Sequence, residues 1–123
     1  MKYKINHEAL YNRVNKYINE QYDTCFKKQN EKYTIENKTR VEVYGNIQAA
    51  VIGFEKQTED FEERYNLLKN HIYKNFKHWN NKESEQHSIE NSTRSSEYFH
   101  MEAVIVGYEK NAIDEAIDEY YNK

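Results

Sequence analysis

The chain has 123 residues, of which 37% are hydrophobic and 32% charged, with a formal net charge of -3. That is room for one domain with a thin core, to which the 12 tyrosines must contribute. The longest apolar runs, Ala49 to Ile52 and Ala103 to Val106, are four residues each and exclude a helical membrane span, and the single cysteine, Cys25, excludes an internal disulfide, a cysteine-based zinc site or an iron-sulfur cluster within one chain.

From the start, Met1 to Asn6 has no apolar stretch of the kind found in secretory leaders, so a cytoplasmic location is expected. Over residues 7–27 the apolar side chains Leu10, Val14, Tyr17, Ile18, Tyr22 and Cys25 fall at steps of three and four, the spacing of one helical face. Thr39-Arg40-Val41-Glu42 has the form of a capping box and marks a second start. From Tyr44 the stripe runs through Ile47, Val51, Phe54, Phe61, Tyr65, Leu68, Ile72 and Phe76 to Trp79. It predicts one unbroken helix over 39–80, about 60 Å long at 1.5 Å per residue. A third helix, over 93–121, is predicted from Thr93 as cap and from Tyr98, Met101, Ile105, Tyr108 and Ala112, followed by Ile113, Ile117 and Tyr120.

The rival is an α+β order, α-ββ-α-ββ-α. Val51-Ile52-Gly53-Phe54 and Val104 to Tyr108 are β-branched runs that suit strands, and Gly45-Asn46 suits a hairpin turn. Thr58-Glu59-Asp60 has the look of a fresh helix start after such a strand. Against it, seven elements need many tight turns, and the chain has three glycines and no proline. The sequence is read as all-α with three helices.

The chain also matches itself at an offset of 54 residues. Ile35 to Lys56 laid on Ile89 to Lys110 gives ten identities in 22 positions, among them Ile35-Glu36-Asn37 with Ile89-Glu90-Asn91, and Thr39-Arg40 with Thr93-Arg94. Apolar positions between them remain apolar, as in Ile47 with Met101 and Val51 with Ile105. An internal duplication accounts for this, with copies over about 1–57 and 58–111 and a short helical tail, all within the single domain 1–123. Two copies sharing one core predict packing about a pseudo-twofold axis. A long heptad-like stripe is also a dimerisation seam, so a homo-oligomer is a further expectation.

Chemistry is sparse. Glu97 and His100 have the spacing used in di-iron bundles, but Val43 and Asn46 stand at the positions 54 earlier, so no metal site is predicted. No phosphate loop, nucleophile elbow or triad spacing occurs. Neither enzyme activity nor a cofactor is expected. The carboxylates at 55–63 and 114–119 are read as a solvated helix face, as are His71 and His78, and Cys25 as a small buried hydrophobe.

Two polar sets remain. Asn37, Thr39 and Arg40 with their copies Asn91, Thr93 and Arg94 form a candidate partner-binding pair of loops, whose local alternative is to cap helix starts and pair with Glu36 and Glu90. Arg64, Lys69, Lys74, Lys77 and Lys82, a stretch free of acids, form a candidate nucleic-acid contact. The leading expectation is a small non-enzymatic interaction protein that binds another protein as an inhibitor or regulator. A nucleic-acid-binding regulator is the alternative. The Asn/Lys/Tyr-rich composition suits an AT-rich bacterial or phage genome.

Overall fold

The computed structural model describes residues 3–122 and is an antiparallel assembly of four helices: α1 (His7–Glu31), α2 (Ile35–Gln57), α3 (Phe61–Glu85) and α4 (Ile89–Tyr121). Helix takes in 88% of the described residues, and there is no strand among them. Three helices from a doubled segment is therefore corrected to four, and the α-ββ-α-ββ-α alternative is overturned: both β-branched runs are helical, because burial of Val51 and Ile105 outweighs their weak helix propensity.

Each boundary has a local cause. Asn6 caps α1 by accepting from the Ala9 N–H at 3.0 Å. The chain then breaks at 32–34, and Thr34, not Thr39, caps α2, its hydroxyl accepting from the Asn37 N–H at 3.0 Å. The predicted interval 39–80 is divided by a turn at 58–60. Asp60 caps α3 by accepting from the Glu62 and Glu63 amides. Thr58 Oγ1 accepts from the Asp60 N–H and donates to Glu63. Ser88 caps α4 as Thr34 caps α2. The bounds of α1 and α3 lie 54 residues apart at both ends, and α2 and α4 begin 54 apart.

One core holds the bundle together. Leu10, Val14 and Ile18 of α1, Tyr44 and Ile47 of α2, Leu68 and Ile72 of α3, and Met101 and Ile105 of α4 are buried within it. Tyrosines do much of the filling, and their hydroxyls are taken up at the margin: Tyr11 donates to Glu55 at 2.9 Å and Tyr65 to Glu109 at 2.5 Å, the same pair 54 residues apart. The starts of α1 and α3 meet through the rings of His7 with Tyr65 and Tyr11 with Phe61, and the starts of α2 and α4 through Arg40 with Glu97 and Arg94 with Glu42. Among the described residues no helix is long and apolar enough to cross a membrane.

Candidate functional site

The residues of the repeated segment lie where the helices begin and cross, and their contacts are internal. Asn37 donates through Nδ2 to the carbonyl of Lys32, and Asn91 does the same to Gln86, each at 2.9 Å, closing the turn before its helix. Thr39 is buried and donates its hydroxyl to the carbonyl of Ile35 at 2.7 Å, and Thr93 is buried likewise. Arg40 bonds through Nε to Glu97 at 3.1 Å and reaches Glu36 and Asn37 with its terminal nitrogens. Arg94 reaches Glu42 and Glu90 and lies over the Trp79 ring, 4.5 Å from its centroid. These six side chains are thus spent on helix starts and on the α2–α4 contact.

Glu97 is the polar centre of that contact. Besides Arg40 it accepts from the Tyr44 hydroxyl at 2.8 Å. Burial, together with the charge and hydrogen bond of Glu97, pushes the Tyr44 phenol far above its ordinary range. His100, one turn on, meets the hydroxyl of Tyr17 instead of joining Glu97. Among the described residues no group of three His, Cys, Asp or Glu is placed to hold a metal ion.

The basic residues of α3 divide in their use. Arg64 donates to the carbonyls of Thr58 and Glu55 and lies over Phe61, holding the α2–α3 turn. Lys69 is paired with Glu109 at 2.9 Å. Lys74, Lys77 and Lys82 are exposed, with Lys77 over the Tyr73 ring. His71 is half-buried, not solvated as predicted. It packs edge-on against Phe54, and burial lowers its pKa. Cys25 is buried, which raises the pKa of its thiol.

The largest departure from a well-covered surface is the seam between α3 and α4. Tyr73, Phe99 and Val106 are 51%, 59% and 65% exposed there, and with Ala103 they line a groove of about 490 Å³ floored by Ile72 and Ile105. Charged side chains stand at its edge: Lys69, already neutralised by Glu109, and Glu102, whose carboxyl is pushed up by burial. The corresponding seam of the first hairpin, between α1 and α2, has Asn19 in place of Tyr73, Gly45 in place of Phe99 and Gln48 in place of Glu102. There a hydrogen bond from Gln48 to Asn19 at 2.9 Å closes the seam. Equivalent backbone thus carries a sealed polar seam on one side and an open apolar seam on the other.

Beyond Phe99 the α3–α4 seam continues into a recess of about 390 Å³ lined by Asn80, Glu83, Ser92, Ser95 and Ser96, with Phe76 and Phe99 at its wall. The rings of Phe76 and Phe99 meet at 5.5 Å. A sequence signal for this site existed in the places where the two copies disagree, Asn19 to Tyr73 and Gly45 to Phe99; agreement between the copies points instead to caps. Comparison with protein-family models, with curated proteins and with solved structures finds no match for this chain.

Proposed function

We propose that this protein is a non-enzymatic interaction module that binds another protein through the α3–α4 seam and acts as an inhibitor or regulator by occupying its partner's surface. One observation carries the reading: Tyr73, Phe99 and Val106, three large apolar side chains more than half exposed, sit on one seam, whereas the equivalent seam is closed by side-chain hydrogen bonding. Scattered exposed apolar residues are ordinary on a protein surface, but a set lining a preformed groove is a feature of recognition sites. Aromatic side chains supply such contacts with little loss of rotamer freedom.

The test is affinity capture from the native host with three baits: the wild-type chain, Phe99→Asp and Ile52→Asp. Ile52 is exposed at the position 54 residues before Val106, so the third bait places the same charge on the first hairpin. The reading expects a partner that is retained by wild type and Ile52→Asp and lost by Phe99→Asp. A partner held equally by all three baits, or lost only by Ile52→Asp, contradicts it.

A further inference from the structure

We infer that the protein segment bound on the α3–α4 seam carries a lysine or arginine whose cationic head enters the recess formed by Asn80, Glu83 and Ser95. This rests on the seam being the binding face and adds the chemistry of what binds there. Glu83 Oε1 is paired with His87, but Oε2 is buried with no hydrogen-bond partner. An unsatisfied carboxylate oxygen withdrawn from water is costly, and a charge-assisted bond from an ammonium or guanidinium removes the cost. The rest of the lining accepts as well: Asn80 Oδ1, at 3.5 Å from the Ser95 hydroxyl, and the hydroxyls of Ser92 and Ser96.

The first hairpin shows what these positions do when no recess is required. Phe26, Gln29, Lys38, Val41 and Glu42 stand where the second hairpin has Asn80, Glu83, Ser92, Ser95 and Ser96. In the first hairpin Phe26 stacks on Tyr22, with centroids 6.0 Å apart, so bulky side chains stand where the second has short ones. In the second hairpin small acceptors replace those long or apolar side chains, and a carboxylate replaces a neutral amide. Arg94, the arginine on the same stretch of α4, is committed to Glu42 and Glu90.

Phe99 lines both the recess and the apolar groove, so the two form one continuous surface. From Ser95 to Val106 along α4 the surface extends about 16 Å, roughly three turns of a docked helix or five extended residues. One short segment therefore spans it, with apolar side chains over Phe99 and Val106 and the cation at the end nearer Glu83.

The experiment is selection of a phage-displayed library of random linear peptides on the intact protein, followed by fluorescence anisotropy with the enriched peptides. Binding is measured to wild type, Val106→Asp, Glu83→Gln and Ser95→Val, the last bringing in the residue found at 41. Circular dichroism checks that each variant is folded. The expected result is a consensus with Lys or Arg at fixed spacing from an apolar pair. Affinity should fall about tenfold in Glu83→Gln and in Ser95→Val, and it should be lost in Val106→Asp. Replacing the peptide's basic residue by norleucine should cost the same factor on wild type and nothing further on Glu83→Gln. Peptides that need Val106 but carry no basic residue and ignore Glu83→Gln overturn this inference while leaving the binding face in place. No enrichment, or peptides indifferent to Val106→Asp, overturns both, as does a dimer of the wild-type chain that Val106→Asp dissolves.

Discussion

Replacing Glu97 by valine tests whether the polar contact between α2 and α4 holds the two hairpins together. Valine fits the site sterically in principle, because Val43 occupies the equivalent position 54 residues earlier. The substitution therefore isolates the loss of hydrogen bonds. The Tyr44 side chain is fully buried and its hydroxyl would lose its acceptor at 2.8 Å; an orphaned buried donor costs about 1–3 kcal/mol. Arg40 is one-third exposed and keeps Glu36 and Asn37, so its lost bond adds less than about 1 kcal/mol. The sum, about 2–3 kcal/mol, corresponds to a fall of about 8–12 °C in Tm for a domain of this size. Glu97→Gln keeps an acceptor oxygen and should lose less than half as much. Removing the donor together with the acceptor, in Tyr44→Phe/Glu97→Val, should cost no more than Glu97→Val alone, since nothing is then left unpaired. Urea titrations of the four proteins measure this. Glu97→Val within about 0.5 kcal/mol of wild type, or strictly additive costs in the double variant, would refute the reasoning.

Three further outcomes are expected. Asp60→Ala removes the acceptor for the first amides of α3 and should cost about 1 kcal/mol in thermal melts, whereas Glu59→Ala, one residue earlier and exposed, should be neutral. Stability should decline on the acid side in two stages. Burial lowers the His71 pKa, so the unfolded chain binds its proton first and stability falls below about pH 6.5. Burial alone would raise the Glu109 carboxyl, but hydrogen bonds from Tyr65 and Lys69 and the Lys69 charge outweigh it and leave it below the usual value. Its contribution is therefore complete above about pH 4.5 and lost as pH falls further; Lys69→Met should shrink that second stage in melts from pH 7 to 3. Cys25 is buried with its thiol pushed up by burial, so a thiol reagent should label it at the rate of unfolding, and fast labelling in the folded protein would contradict its placement.

The helical class was legible because Leu10, Val14 and Ile18, or Leu68 and Ile72, repeat at helical spacing and are buried together. The number of helices was not. Phe54 and Phe61 are seven residues apart, two helical turns, so a turn at 58–60 leaves the apolar stripe in phase on both sides. The caps of that turn, Thr58 and Asp60, were visible as a helix start but were attached to the strand-containing alternative. Thr39 misled for a different reason: it precedes a glutamate at capping-box spacing, yet it is buried in the first turns of α2 and returns its hydroxyl to Ile35. The true cap is five residues earlier, at Thr34. The α3–α4 seam was hidden because Tyr73 and Phe99 lie outside the buried stripe of their own helices and become neighbours only when those helices pack.

Hydrogen–deuterium exchange on the purified complex of this chain with its captured partner is the most direct test of the binding face. The account predicts that amides of residues 69–76 and 92–106 slow on binding while those of residues 15–22 and 38–52, the matching stretch of the first hairpin, keep their free rates. Slowing centred on α1 and α2, or spread evenly over the bundle, would contradict it.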